Sequence, residues 1–330
     1  MPESPRPPSH PSSSADSVEN PVILSVVGID VGGTKTHIRV VDTRGTVAES
    51  VMPSGHWRLG SLFSDEGNFD RLGAAVRSLG AVTGDTIVVA GVHGCDTAEQ
   101  MARATARIEE VLDASVTVVN DALLLRHATD IRPTIEMIVG TGAVISGNNT
   151  DGDRVTVDGY GWPLGDRGSS HDLVSAALRA TLGAWDRGEG GADPLYAAML
   201  AAFQAGDSAE LAERTSLVAN GTAWGVHASV VFDQAEAGSR AAASIVDAAA
   251  ADLARGVAHL IDRGATGRTV VAGGGVIVNQ APYENAIRHH LARILPDVEL
   301  VVVRTPPVHG AIELARELRS NQGEQAGVRS

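Results

Sequence analysis

Two glycine-rich turns, each entered from a continuous apolar run, limit most severely what this chain can fold into. The first run, Val22 to Val27, stops at Gly28-Ile29-Asp30-Val31-Gly32-Gly33-Thr34-Lys35-Thr36, and an alternating segment from His37 to Asp42 returns before an Arg44-Gly45 turn. The second run, Ile135 to Val139, stops at Gly140-Thr141-Gly142 and returns through Val144 and Ile145. Each reads as strand, glycine tip, returning strand. A Walker loop would instead open a helix and close on Gly-Lys-Ser/Thr. Glycines lack a Cβ, so backbone N–H groups at such tips can approach phosphate oxygens. A single tip is equally well explained as a capped hairpin. Two tips, one opening each half, predict two related lobes enclosing the β- and γ-phosphates of a nucleotide from both sides.

Between the tips the pattern alternates. Asn68 to Ser78 reads as a helix, Thr86 to Val92 as a buried strand, Thr97 to Leu112 as a helix and Ser115 to Val119 as a strand. Strands alternating with helices predict an α/β fold with a partly parallel sheet. Ile131-Arg132-Pro133-Thr134 interrupts the pattern, so lobes of residues 21–132 and 133–330 are expected after a Pro- and Ser-rich tail, residues 1–20, expected to be disordered. Leu173 to Leu182 and Ala241 to Ile261 read as helices. Val270 to Ala272 reads as a strand ending in Gly273-Gly274-Gly275, and the last helix, about residues 308–319, is expected to pack back on the first lobe. A net charge of -14 without a basic stripe argues against nucleic acid as a partner, and no apolar run is long enough to span a membrane. The tail lacks the apolar stretch of a secretory signal, and one cysteine, Cys95, excludes an internal disulfide framework; both favour a cytoplasmic setting.

Asp121 follows the run Val118-Val119-Asn120, at the carboxyl end of a strand, where α/β sheets place their ligands. A carboxylate there can accept the proton of an attacking hydroxyl, and it can also cap the helix that begins at Ala122. Asp30 can hold hydrated Mg²⁺, while Thr34 and Thr141 can clamp phosphates. The segment from Asp158 to Ser169 is too long for a simple turn. Its Trp162 and Asp166 suit a sugar, the ring covering C–H faces and the carboxylate accepting hydroxyls, although Trp162 could anchor packing and Asp166 could cap a helix. His37, His56 and His93 fit no zinc spacing and are expected to be structural; His289-His290 are expected on a solvated face, Trp185 and Trp224 in the core, and Cys95 in packing.

In this order the motifs resemble the BadF/BadG and N-acetylglucosamine kinase family of the actin-like ATPase superfamily, from about Val22 to Leu318. The resemblance implies two ribonuclease H-like domains with a nucleotide cleft between them, and use of ATP with Mg²⁺. It implies ATP contacts at Gly32, Gly33, Thr34, Lys35, Thr141, Gly142, Ala235, Gly274, Gly275 and Asn279. Sugar contacts are implied at Gly55, His56, Ala143, Gly161, Trp162 and Asp166, with Asp121 as base and Asp30 on the metal side. Gly55 departs from an asparagine and Arg167 from a glutamate of the family pattern, which alters the sugar that fits. The implied activity is phosphorylation of an amino sugar, N-acetylglucosamine first, at its 6-hydroxyl, by a homodimer. The alternatives are a regulatory ATPase of the BadF type and a catalytically silent sugar binder. Dehydratase activators of the same family need more than one cysteine for an iron–sulfur cluster, and the related repressor and glucokinase group carries a cysteine-rich zinc motif; one cysteine supplies neither.

Overall fold

The computed structural model describes residues 23–216 and 221–328. Val22 and the tail expected over residues 1–20 lie outside the described residues. The strands are β1 Leu24–Val31, β2 Lys35–Asp42, β3 Val47–Pro53, β4 Ile87–Val92, β5 Ser115–Asn120, β6 Thr134–Val139, β7 Ala143–Asn148, β8 Arg154–Asp158, β9 Thr269–Gly273 and β10 Glu299–Val302. The helices are α1 Gly67–Arg77, α2 Ala98–Leu112, α3 Ala122–His127, α4 Ser170–Asp186, α5 Pro194–Ala202, α6 Ser208–Ser216, α7 Gly221–Gly225, α8 Ala228–Glu236, α9 Arg240–Asp262, α10 Gly275–Asn279, α11 Ala281–Ile294 and α12 Val308–Val328.

The strands form two five-stranded sheets, ordered β3-β2-β1-β4-β5 and β10-β9-β6-β7-β8. In each, the first strand in the chain is central, antiparallel to the second on one side and parallel to the fourth on the other. One topology is therefore used twice, and each copy opens with a glycine-tipped hairpin. This is the α/β, two-domain, ribonuclease H-like fold class expected from the motifs.

β1 differs from expectation in length. Its apolar run pauses at Gly28, but the ladder continues to Val31, pairing Asp30 with His37 of β2 and Gly91 of β4. Gly28 is no strand breaker. It faces α12, and a Cβ there would lie 2.9 Å from the Val308 carbonyl oxygen and 3.1 Å from the Ala311 Cβ. Only Gly32 to Thr34 remain as the tip, closed by the Gly32 N–H donating to the Lys35 carbonyl at 2.9 Å. Asp30 thus stands on a strand, which fixes its backbone more firmly than a loop would.

The face of the first sheet bearing Val27, Ile29 and Val31 is covered by Phe69 and Leu72 of α1 and Ile108 of α2. A reciprocal Thr97–Gln100 capping box starts α2. The opposite face, with Val26 and Val89, packs on Leu124 of α3 and on Ala311, Ile312 and Ala315 of α12. Leu125, the next residue of α3, packs instead with Val271 and Val303 of the second half. α3 is therefore wedged between the halves, with Asp121 at its entrance. The remaining core joins Ile135, Met137 and Val139 to Leu173 of α4 and to Leu253, Val257 and Leu260 of α9. Each such aliphatic side chain contributes roughly 1.5–3 kcal/mol.

Gly310 of α12 faces the Leu124 carbonyl so closely that an added Cβ would collide with it and approach the Ala128 nitrogen to 3.0 Å. Glycine to alanine inside a helix ordinarily stabilises by up to about 1 kcal/mol. Here the sign should reverse: Gly310→Ala is expected to cost about 1–3 kcal/mol, measured as a lowered urea midpoint, and an unchanged or raised midpoint would refute this packing.

Candidate active site

Both hairpin tips close on one side chain, His93. A Cβ on Gly33 would stand 3.7 Å from its Cδ2 and 3.8 Å from its Nε2, and a Cβ on Gly142 would stand 3.9 Å from its Cε1. The backbone of His93 is anchored by its N–H donating to the Val31 carbonyl at 2.8 Å, just beyond the ends of β1 and β4. Its Nδ1 lies 3.6 Å from Asp121 Oδ2, too long for a full hydrogen bond but close for two charges. The Asp121 side chain is 12% exposed and that of His93 51%, so the acid lies at the floor and the ring rises above it.

Asp121 both caps a helix and faces this space. Its Oδ1 accepts from the Ala122 N–H at 3.1 Å, a donor also reached by Asn120 Oδ1 at 3.1 Å, while Oδ2 turns toward His93. Asp30 ends up beside it. Burial, and then the Asp121 charge, push the Asp30 carboxyl up to about 7, while Lys35 and His93 pull the other way. Asp96 is also pushed up, by burial first and Asp121 second, and its Oδ1 accepts from Asn120 Nδ2 at 2.8 Å. The crowding of three carboxylates suits a cation. Among the described residues no group of three His, Cys, Asp or Glu side chains could hold a metal. A cation at this point would therefore draw part of its coordination from outside the protein.

Arg154 of β8, which the sequence offered no reason to single out, crosses from the second sheet to this acid group. Its Nη2 donates to Asn120 Oδ1 at 3.0 Å and to Ser146 Oγ at 2.7 Å. Burial pulls its guanidinium down from the usual arginine range, against the charges of Glu136, Asp121 and Asp96. Cys95 is fully buried, its thiol pushed up to about 11 by burial and by Asp96 and Asp121, which fits a packing role.

The Ser54 to Trp57 segment is tied to the first tip. Ser54–His56 form a 3-10 turn whose Ser54 N–H donates to the Thr34 carbonyl at 2.8 Å and whose Ser54 Oγ donates to the Gly32 carbonyl at 2.9 Å. Trp57, buried, donates its Nε1–H to Thr36 Oγ1 at 2.9 Å, and Arg58 Nη2 donates to the Gly33 carbonyl at 2.9 Å. Gly55 and His56 remain exposed beside the tip, as do Thr34 and Lys35 on it.

On the other side Asp166 approaches the second tip: a Cβ on Gly142 would come within 2.8 Å of its Oδ2. Asp166 is buried at a left-handed backbone position, φ 62°, with Oδ1 accepting from the Gly161 N–H at 3.2 Å. Asp158 holds this loop by accepting from the N–H groups of Gly159, Asp166 and Arg167 at 2.9, 2.7 and 2.9 Å. The residue that caps α4 is Ser169, so Asp166 is free of that task. Trp162, exposed, meets the edge of Trp224 at 5.5 Å between ring centres. Trp224 is thus only half-buried core, and its buried indole N–H finds no acceptor among the described residues.

Thr141 and Gly142 sit where α4 begins: the Ser170 N–H donates to the Gly140 carbonyl at 2.9 Å, and His171 Nδ1 lies 3.1 Å from the Thr141 carbonyl. Ala143 follows, buried at the start of β7. The Gly273–Gly275 turn lies against the same tip, a Cβ on Gly140 standing 3.5 Å from the Gly275 nitrogen. Gly274, at φ 108°, admits no side chain against Val139. Asn279 turns its amide back to the Gly275 carbonyl at 2.7 Å, and Ala235 is half-buried in the last turn of α8. A cavity of about 440 Å³ lies elsewhere, behind the Asp158–Arg167 loop and against α9, and is lined by none of Asp30, His93 or Asp121.

A repeated sheet topology, two glycine hairpins meeting over an acid, and a helix wedged between the halves define the actin-like ATPase architecture. The chain belongs to the BadF/BadG/BcrA/BcrD ATPase family, whose model matches residues 27–315. A curated relative, the N-acetylmuramic acid/N-acetylglucosamine kinase of Clostridium acetobutylicum, is 28% identical over 176 residues, which is 50% of this chain and 56% of that protein. The chain thus spans about half the length of the curated relative it matches. A structure from Chromobacterium violaceum, provisionally described as an N-acetylglucosamine kinase, aligns with a TM-score of 0.67 at 19% identity over 89% of this chain and 99% of its own. A ROK family glucokinase from Streptomyces griseus, in complex with glucose and AMPPNP, aligns at 0.56 and 18% identity, with the same coverage of 89% and 99%. At these identities the structures share the fold.

Asp30 carries a pH signature. Unfolded it ionises near its ordinary 3.8, folded near 7, so between these values the folded state binds more protons and loses stability as pH rises. Asp30→Asn removes this slope. In EDTA and without nucleotide, the melting temperature of the variant relative to the wild type should climb between about pH 4 and pH 7 and then level off. A difference independent of pH would contradict the placement of Asp30.

Proposed function

We propose that this chain transfers the γ-phosphoryl group of ATP to a hydroxyl of an amino sugar, N-acetylglucosamine at its 6-hydroxyl being the leading substrate. The observation that carries this reading is that Asp121 Oδ2 opens toward the meeting point of the two glycine tips while Oδ1 is held by the Ala122 N–H. The name of the Clostridium relative supports the sugar class.

In this reading the backbone N–H groups of Gly32, Gly33 and Gly142, with the Thr34 and Thr141 hydroxyls and the Lys35 ammonium, hold the phosphates. Gly274, Gly275, Asn279 and Ala235 take the adenosine side. Asp166, Gly161, Trp162, Ala143, Gly55 and His56 grip the sugar. Asp121 accepts the hydroxyl proton as the sugar oxygen bonds to the γ-phosphorus and the bond to the β–γ bridging oxygen breaks, releasing ADP. Mg²⁺, when bound beside Asp30, neutralises charge on the phosphate oxygens. We place the division between lobes at residues 132 and 133. Closure of the lobes on sugar would exclude water and so suppress wasteful hydrolysis.

Coupled ADP release over a panel of amino sugars tests this. Asp121→Asn should lower kcat by about 10²–10⁴-fold while still binding ADP in a thermal-shift assay. A near wild-type rate would remove Asp121 from its role, and ADP release by the wild type that is indifferent to every sugar would point to a regulatory ATPase instead.

A further inference from the structure

A structural role is what spacing alone suggests for His93, and the family motifs give it none. Its surroundings are those of a reacting group. The ring is bounded by the first tip, the second tip and the base. Its two nitrogens have different outlooks: Nδ1 faces Asp121 Oδ2 at 3.6 Å, and Nε2 lies on the edge turned to Gly33, 3.8 Å from where a Cβ would be. The positions facing it on both tips are glycines, and at the second tip the Asp166 carboxylate shares that space, 2.8 Å from where a Cβ on Gly142 would be. The main chain cannot carry the ring elsewhere, because the His93 N–H is bonded to Val31 at 2.8 Å and Gly94 turns the chain away at φ 83°.

We propose that His93 is a catalytic residue, donating from Nε2–H to an oxygen of the phosphoryl group in flight while Nδ1 faces the base. The proposal rests on the sugar-kinase reading above. The transferred group spreads charge over its equatorial oxygens, and a donor already aimed at that charge needs no reorganisation when it develops. The neighbouring Asp121 carboxylate raises the imidazole pKa against the opposing effect of burial. No proton leaves His93 in the step. Asp121 keeps the hydroxyl proton, and the imidazole contributes a hydrogen bond that strengthens at the transition state.

The two nitrogens can be separated by amide replacement. A glutamine places its side-chain N–H group near the position of Nε2, an asparagine near that of Nδ1. His93→Ala and His93→Asn should each lower kcat by about 10²-fold, with the sugar KM and the ADP dissociation constant within about twofold of wild type, and His93→Gln should recover at least about tenfold of the loss. Recovery by asparagine and not by glutamine would mean the ring only orients Asp121, and an undiminished His93→Ala would leave it no role; either result overturns the proposal. A second measurement does not depend on turnover. With Mg²⁺ and sugar present, ADP–aluminium fluoride, a planar mimic of the phosphoryl group, should bind His93→Ala at least about tenfold more weakly than wild type while ADP alone binds both equally. Equal affinity for the mimic would also overturn it. Failure of the kinase reading looks different, because the wild type itself would then show no sugar-dependent ADP release.

Discussion

Everything in the cleft depends on how α3 is seated. Three glycines receive it: Gly91 of β4 and Gly310 of α12 leave room for Leu124, and Gly273 of β9 leaves room for Leu125. Two of these belong to different sheets and the third to the C-terminal helix, so one short helix is gripped by both halves of the chain. Close packing makes such a seat intolerant of even one added methyl group. Asp121 is the residue at which β5 hands over to this helix, and its position is fixed by packing rather than by its own hydrogen bonds.

Around that fixed point the charges are deliberately unbalanced. Asp30 and Asp96 each feel the charge of Asp121, and the basic side chains near these acids, Lys35, His93 and Arg154, come from three separate elements. Arg154 reaches across from the second sheet, so the balance on the acid side of one half is set in part by the other. In the proposed function phosphate is received mainly by backbone N–H groups at glycine tips, an arrangement by which a chain with net charge -14 could hold a triphosphate without a basic surface. A cation arriving with the nucleotide would relieve the strain between Asp30 and Asp121.

Much of this was legible in the sequence, because strand, glycine tip and returning strand are local patterns, and so is an acid placed directly after a buried strand. What escaped depended on distant partners. Gly28 reads as a break along the chain, yet it is a strand residue that makes room for α12, nearly three hundred residues away in sequence. Arg154 meets Asn120 across a separation of 34 residues, and periodicity carries no trace of that meeting. Trp224 packs against the core as expected, yet it also meets the exposed Trp162 of the candidate sugar loop, a contact that no local pattern announces. His93 is set apart only by the two tips that converge on it, and each tip alone looks like a turn. The two hairpin tips announce related lobes, whereas the shared order of the outer strands is visible only once β6 to β10 are paired.

The central claim is that one triphosphate lies between the Gly32–Thr34 and Thr141–Gly142 tips, beside Asp121. The most direct measurement is a crystal structure with a non-hydrolysable ATP analogue, Mg²⁺ and N-acetylglucosamine. The account predicts a γ-phosphate touching both tips and a sugar hydroxyl within hydrogen-bond distance of Asp121 Oδ2. Nucleotide bound in the cavity against α9, or a sugar whose hydroxyls reach Asp166 but leave Asp121 without contact, would contradict it.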